Sequence, residues 1–325
     1  MLARQPSSGK DYQLGSNDAA YYLRGVHPLR ALLIYLGAIF FGGALLAPWI
    51  YRLVQESAAQ FQFLETLAHE PFQRFLTRTF LGIALLGLWP FARSLGAHSW
   101  REIGLPKPQG QGSKLVGGLA LGFGSLAVVA GLVLLAGGRT LDAHRSGHSL
   151  MRHLVNAGLA ALVVALLEEI IFRGALFGAL RKAYHWMIAL LLSSAIYALL
   201  HFFESPQTMS EAGWASGLEL LPRMARGFVN FQAVVPGFFN LTLAGLILGL
   251  AYHRFGNLYF SIGLHSGWIF WVKSYGFLTR ANPTANTWFW GSRKLVDGWL
   301  ALIVLILVLV TVGRLTVPRT KTTFP

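Results

Sequence analysis

The sequence predicts an all-α, polytopic integral membrane protein with about eight transmembrane helices in one bundle. Of its 325 residues, 54% are hydrophobic and only 12% are charged, whereas soluble domains carry about 25% charged residues. The mean hydropathy of +0.51 agrees with this class. Apolar runs approach the roughly 20 residues that a helix needs to cross a bilayer, and they recur along the chain with charged residues between them.

The charged residues mark the ends of each predicted helix. The predicted segments are residues 30–52, 78–93, 114–139, 153–180, 182–204, 236–254, 254–273 and 297–314. An even number of crossings places both termini on one side of the membrane. Lysine and arginine are nearly balanced between the two sides, so the positive-inside rule only weakly favours cytoplasmic termini. We therefore expect an integral protein of the inner or plasma membrane with both termini in the cytoplasm.

The ends of the chain differ from its middle in composition. Residues 1–28 form a polar tail without the pattern of a cleavable signal peptide, residues 29–315 form the membrane-embedded helical domain, and residues 316–325 form a C-terminal tail. The formal net charge of +14 lies mostly in loops and termini. It indicates the lipid bilayer, through anionic headgroups, as a partner, and not nucleic acid. The absence of cysteine excludes disulfides, thiolate metal sites and a cysteine nucleophile.

Glycine pairs at a spacing of four predict close helix packing. Gly118 and Gly122 lie in the third predicted helix, and Gly245 and Gly249 lie in the sixth. Small residues at this spacing let the backbones of neighbouring membrane helices approach each other.

Three ionisable residues lie inside the fourth predicted helix, in the stretch EEIIFRG. Glu168, Glu169 and Arg173 would each cost about 2.5–3.5 kcal/mol on insertion scales if unpaired. Glu169 and Arg173 are four residues apart, so they share a helix face and can pair. Glu168 points about 100° away from that face. It therefore needs a partner on another helix.

Two histidines are candidates for that partner. The fifth predicted helix holds His201, and the seventh holds His265. A rise of 1.5 Å per residue places Glu168, His201 and His265 about 20, 25 and 16 Å from the same membrane edge. A lone histidine in an apolar helix is more often a hydrogen-bonded core residue, but the shared depth favours a common polar site. A carboxylate beside an imidazole can activate water, and a second histidine can stabilise an oxyanion, which is hydrolytic chemistry.

Three motifs carry a resemblance to a known family. Glu168 to Arg173 matches E-E-x-x-x-R, and Tyr197 to His201 looks like F-x-x-x-H with tyrosine for phenylalanine. The stretch that leads into His265 resembles the start of H-x-x-x-N. On these motifs the chain resembles the CAAX prenyl protease and bacteriocin-processing (CPBP, or ABI) family of intramembrane endopeptidases. The resemblance covers about residues 100–272, which would be the peptidase-like core.

The resemblance implies an eight-helix fold and a glutamate-dependent endopeptidase that acts on a protein or peptide. By analogy, Glu168 and His201 would activate water, His265 would help to form an oxyanion hole, and Arg173 would brace the glutamates through Glu169. We expect no cofactor. A zinc ion held by glutamate and histidine is the alternative that we do not favour.

One position departs from the family pattern. Ile269 stands where H-x-x-x-N has an amide, and isoleucine cannot donate a hydrogen bond. Trp268 or Asn240 could supply the missing donor. Otherwise the chain would be a catalytically impaired member that acts as an immunity or interaction protein. A proton-coupled transporter is a third reading, because intramembrane Glu, His and Arg also form proton relays.

Overall fold

The computed structural model describes residues 28–204 and 212–315. The predicted C-terminal tail, and all of the predicted N-terminal tail except residue 28, lie outside the described residues. Within them the chain is built almost entirely of helices. The labelled elements are α1 (Pro28–Ala58), α2 (Phe72–Ser94), α3 (Gly112–Leu135), β1 (Arg139–Leu141), α4 (Gly147–Ala183), α5 (Trp186–Leu200), α6 (Ser216–Met224), α7 (Phe231–Phe255), α8 (Tyr259–Leu278), β2 (Thr279–Ala281) and α9 (Trp299–Arg314).

The helices α1, α2, α3, α4 and α7 are long and apolar enough to cross a membrane, by length and composition. The apolar helices α5 and α9 are shorter, at 15 and 16 residues. The all-α membrane class is thus confirmed for the described residues. The count of eight crossings is not confirmed and stays a prediction.

Local side-chain signals explain where several helices begin and end. The side chain of Asn230 accepts a hydrogen bond from the amide of Ala233, so α7 begins at Phe231. The prediction of a start near residue 236 was wrong by five residues, because the helix continues through Pro236 in its second turn, although the proline leaves out one backbone hydrogen bond there. At its other end, Gly256 adopts φ 67°, the left-handed conformation that glycine favours after a helix.

Helices α3 and α8 run parallel and pack at backbone distance. A Cβ atom added at Gly122 would lie 2.0 Å from the carbonyl oxygen of Leu264, and one at Gly118 would lie 2.1 Å from that of Phe260. From the other side, Gly263 and Gly267 meet the backbone of α3 in the same way. The predicted packing role of the first glycine pair is confirmed, and α8 is held in a fixed register against α3.

Helices α5 and α7 form a second close, antiparallel pair. A Cβ at Gly245 would lie 2.7 Å from the side chain of Ser194, and one at Gly249 would lie 2.2 Å from that of Leu190. The glycine pair in α7 therefore also serves packing. These contacts fix the position of α5 along α7, and therefore the position at which α5 ends.

Two short strands pair with each other: β1 lies between α3 and α4, and β2 follows α8. β1 pairs antiparallel with β2, with Thr140 opposite Arg280. Arg139 is buried and donates from Nε to the hydroxyl of Thr279 at 2.7 Å. Because β1 precedes α4 and β2 follows α8, this small sheet joins the two helices that carry most of the predicted site.

Candidate active site

The polar site is built on an irregular part of α4. The helix is α-helical as far as Glu169 and continues as a π-helix over Ile170–Phe177, in which every residue is buried. π-Helical segments are rare and occur frequently at functional sites. On the outside of this segment, the backbone of Ile103 lies so close to Gly174 that an added Cβ would be 2.6 Å from its carbonyl oxygen.

Glu169 and Arg173 form a buried ion pair within this stretch. Nη1 of Arg173 lies 2.9 Å from Oε1 of Glu169, and the two side chains are 3% and 0% exposed. The pairing is the one that the spacing of four residues predicts. The guanidinium also lies over the ring of Tyr197, 4.4 Å from its centre.

His265 on α8 links this pair to the other predicted residues. Its Nδ1 lies 3.0 Å from Oε1 of Glu169. An ionised carboxylate only accepts hydrogen bonds, so Nδ1 of His265 carries the proton and donates it. Nε2 of the neutral ring is then an acceptor, and it lies 3.1 Å from the hydroxyl of Tyr197, which donates to it.

His201 follows the last residue of α5, as its C-terminal cap. Its Nδ1 lies 2.8 Å from the carbonyl oxygen of Tyr197, so this nitrogen also carries the proton. Nε2 of His201 is therefore an acceptor. It faces Oε2 of Glu168 at 3.6 Å, and Nε2 of His265 faces the same oxygen at 3.7 Å.

Oε2 of Glu168 and Nε2 of His201 are thus acceptors that face each other, and Nε2 of His265, which already accepts from Tyr197, lies beside them. Oε2 of Glu168 is buried and has no hydrogen-bond partner among the described residues. Separations of 3.6–3.7 Å exceed a direct hydrogen bond but are easily bridged by one small molecule that donates to two of the acceptors. A water molecule fits this description.

The site has a closed side and an open side. The side chains of Glu169, Arg173 and His265 are at most 3% exposed, whereas those of Glu168 and His201 are 20% and 30% exposed. All five predicted residues therefore lie together. The two that the resemblance assigns to water activation are the two that face outward.

Tyr197 belongs to this cluster and was missed by the sequence analysis. The motif comparison treated it as a mild replacement of phenylalanine. It is 2% exposed, and its hydroxyl, its ring and its carbonyl oxygen contact His265, Arg173 and His201 respectively. The signal in the sequence was its polar group four residues before His201 in an otherwise apolar helix.

The two donors suggested in place of residue 269 are engaged elsewhere, so that expectation was wrong. Nε1 of Trp268 donates to the hydroxyl of Ser125 at 2.9 Å. Nδ2 of Asn240 donates to the carbonyl oxygens of Val296 and Gly298, each at 2.8 Å. Both side chains stabilise contacts between helices or between a helix and a loop.

The arrangement of donors does not fit a zinc ion. Zinc ligation by Glu168, His201 and His265 would need a free lone pair on each Nε2. Nε2 of His265 already accepts from the hydroxyl of Tyr197. In residues 28–204 and 212–315, no group of three His, Asp or Glu side chains is placed to hold a metal ion.

Together, the fold and this cluster define the class: an all-α integral membrane protein with a buried site of carboxylates, imidazoles and a guanidinium. Residues 151–271 match the family model described as Type II CAAX prenyl endopeptidase Rce1-like. This segment is therefore similar to CAAX-type proteases, and the resemblance drawn from the three motifs is confirmed. The five predicted site residues all lie within it. No curated protein and no solved structure matches the chain.

Proposed function

We propose that the protein is an intramembrane endopeptidase that hydrolyses a peptide bond with a water activated by Glu168 and His201. The observation that supports this most is that Oε2 of Glu168 faces Nε2 of His201 at 3.6 Å, on the more exposed side of the cluster. A water that donates one hydrogen to Glu168 and the other to Nε2 of His201 directs its oxygen lone pairs away from both. A general base must lie within hydrogen-bond reach of the proton that it takes.

The reaction needs one proton transfer in each direction. Glu168 takes a proton from the water, whose oxygen bonds to the carbonyl carbon of the peptide, and the carbonyl oxygen becomes an oxyanion. When the tetrahedral intermediate collapses, the carbon–nitrogen bond breaks and the leaving nitrogen receives the proton. The products are a carboxylate and an amine. On the closed side, Arg173 pairs with Glu169, and Glu169 accepts from His265, which faces Glu168.

The substrate is a protein or peptide held at the membrane. The Glu168 and His201 side chains are partly exposed, so they are the members of the cluster that a substrate would reach first. The family model describes proteases that act on CAAX-type termini, and a C-terminal or juxtamembrane peptide segment is the class of substrate that we propose. The alternative, an impaired member that binds without cutting, is supported by Ile269.

The first prediction concerns the two outward-facing residues. We expect Glu168→Gln and His201→Ala each to lower cleavage of an internally quenched peptide library by at least 100-fold, because general base catalysis contributes typically 10²–10⁴-fold. The purified variants are assayed in lipid nanodiscs. Cleavage at the wild-type rate by Glu168→Gln would refute the proposal.

Matched controls use exposed residues of the same types. Glu65→Gln and His148→Ala change an exposed glutamate and an exposed histidine, and both should cleave at the wild-type rate. A zinc chelator added to the wild type should leave the rate unchanged. Loss of activity that added zinc restores would show that the reaction depends on metal. pH-driven solute uptake into liposomes, without cleavage, would favour a transporter.

A further inference from the structure

The two ends of the helical bundle differ in their acidic residues. One end holds the first residue of α1 and the last residue of α9, and we call it the terminal end. Among residues 28–204 and 212–315, only Glu102 of the acidic residues lies there, and the other carboxylates outside the site lie toward the opposite end. Lysine and arginine occur at both ends. In the described part of the chain, the terminal end therefore carries the larger surplus of positive charge.

Several basic residues of the terminal end meet where three helices adjoin. The last turn of α4 contains Arg181 and Lys182, and the last turn of α7 contains His253 and Arg254. Trp186 begins α5, and its ring stacks on the ring of His253 with 4.8 Å between the ring centres and 3° between the planes. We call the surface formed by these five residues the basic rim.

The two arginines of the basic rim are held in place by their neighbours. Arg181 donates to the hydroxyl of Tyr252, and its guanidinium lies 5.5 Å from the centre of that ring. Arg254 is exposed, and its Nη2 donates at 2.9 Å to the carbonyl oxygen of the residue that follows α9. The charges of both arginines act on the imidazole of His253. The basic rim thus concentrates positive charge within a small area.

The described carboxylate of the terminal end does not balance the whole rim. Glu102 accepts hydrogen bonds from the amide of His98 and the hydroxyl of Ser99, at 2.9 and 2.8 Å. Lys182 is the member of the rim whose charge acts on Glu102. One carboxylate offsets one of several positive charges, and like charges that are held close together repel one another. A negatively charged ligand would offset this repulsion.

The surroundings of the basic rim indicate an amphiphilic ligand. The rim lies where apolar helices end, and tyrosine and tryptophan, here Tyr184 and Trp186, are enriched at such membrane boundaries. Met187 and Ile188 follow directly and are 56% and 52% exposed. An anion at the rim would therefore have apolar surface beside it on α5. A charged headgroup joined to acyl chains matches both features, and basic groups at this depth attract anionic lipids.

We propose that the basic rim binds the phosphate of an anionic phospholipid. Arg181 and Arg254 are the charged donors, and the stacked rings of Trp186 and His253 lie beside the headgroup. The acyl chains lie along the exposed apolar side of α5. Guanidinium groups suit this role, because their planar N–H donors match the oxygens of a phosphate and always carry their charge. Binding of the lipid does not depend on the proposed endopeptidase activity.

A lipid at this place contacts the helix that carries the two glutamates of the site. The guanidinium of Arg181 lies over the ring of Phe177, 5.8 Å from its centre. Phe177 is the last residue of the π-helical segment. A phosphate that holds Arg181 therefore also holds the last turns of α4. Because the lipid binds the folded chain, we expect its addition to raise the unfolding temperature of the delipidated protein.

The test measures lipid binding to the delipidated full-length protein in detergent micelles. Dioleoyl phosphatidylglycerol is titrated, and the bound lipid is counted by native mass spectrometry. We expect one molecule to bind more tightly than the rest, and more tightly than dioleoyl phosphatidylcholine. The double variant Arg181→Gln with Arg254→Gln should weaken this first binding event by at least about 10-fold, the factor that two basic groups near an anionic lipid supply.

Two further variants separate charge from folding. Arg254→Gln alone changes an exposed position, and we expect it to weaken binding by about 5-fold even if the double variant is unstable. The matched control is Arg74→Gln with Arg78→Gln, which removes two charges at the opposite end. These two arginines are more than half exposed and both lie within 4 Å of Glu70. The control should bind phosphatidylglycerol with the wild-type affinity.

The outcomes are read from binding alone, so they are independent of any result on cleavage. Wild-type affinity in both Arg254→Gln and the double variant would refute the lipid site. Equal affinity of the wild type for phosphatidylcholine and phosphatidylglycerol would also refute it. If millimolar inorganic phosphate displaces the first lipid and raises the unfolding temperature as much as the lipid does, the rim binds a soluble anion and the proposal fails.

Discussion

At the scale of single residues, burial decides what the ion pair between Glu169 and Arg173 does. Both side chains are almost fully enclosed, and an ionic residue alone inside a membrane helix is costly. Such a pair adds little net stability compared with apolar residues, but the loss of one partner leaves a buried charge. The pair is therefore best understood as a support for His265, which it holds through Oε1 of Glu169.

We expect Arg173→Met to lower the free energy of unfolding by about 3–5 kcal/mol, since it strands Glu169. The double variant Glu169→Gln with Arg173→Met should lose less than the sum of the single variants. Unfolding in mixed micelles with increasing SDS measures these values.

The chain contains a control with the same spacing. Arg74 and Glu70 also pair at four residues, but Arg74 is 58% exposed. Arg74→Met should cost less than about 1 kcal/mol. Equal losses at the two arginines would contradict the account by burial.

The sequence predicted which of these residues lie together where spacing alone was sufficient. Glu169 and Arg173 are related by helix geometry, and Glu168, His201 and His265 were brought together by depth along three helices. Tyr197 could not be ranked in this way, because its contact with His265 depends on the direction of one hydroxyl relative to an imidazole on another helix. Proton positions on the histidines likewise follow only from their partners.

At the scale of the helices, the interface between α3 and α8 positions His265. Gly122 approaches the backbone at Leu264, the residue directly before His265. Any side chain at Gly122 must push the two helices apart. The site and the interface are therefore coupled through one residue.

We expect Gly122→Ala to lower both thermal stability and cleavage, because its Cβ would lie 2.0 Å from a carbonyl oxygen. Gly124→Ala is the matched control on the same helix, where nothing lies within 4 Å of an added Cβ. It should be neutral or stabilising, since alanine favours helix by about 1 kcal/mol over glycine. Thermal unfolding and peptide cleavage are measured on both. Equal behaviour of the two variants would contradict the assigned packing.

The bounds of the helices were only partly predictable. The charges that flank α5 are at residues 182 and 204, but the helix occupies Trp186–Leu200. Hydropathy shows which residues are apolar, but it does not show where the backbone hydrogen bonding of a helix stops. The π-helical segment Ile170–Phe177 had no signal in the sequence, because the pattern of apolar residues around it is continuous.

At the scale of the whole molecule, the number of crossings decides which side each loop faces. The absence of cysteine permits a direct test with single introduced thiols. Gln109 and Ala143 are exposed and lie on either side of α3. With cytoplasmic termini, Gln109 is expected on the cytoplasmic side and Ala143 on the opposite side.

We expect a membrane-impermeant maleimide to label Ala143→Cys in spheroplasts. It should label Gln109→Cys only after the membrane is permeabilised. The reason is that a 24-residue apolar helix separates the two positions. Leu315→Cys, at the end of α9, should behave like Gln109→Cys if the number of crossings is even. Labelling of Gln109→Cys and Ala143→Cys from one side would show that α3 does not span.

The short length of α5 bears on how the site receives water. Its 15 residues rise about 22 Å, less than the roughly 30 Å of a hydrocarbon layer. His201 follows the last residue of this helix, at the end of the bundle where α7 begins. In the proposed reaction each cleavage consumes one water molecule. Because α5 is shorter than the hydrocarbon layer is thick, water from that end of the bundle has a shorter path to His201. For the proposed reaction, we therefore expect both water and a hydrophilic peptide tail to approach from that face of the membrane.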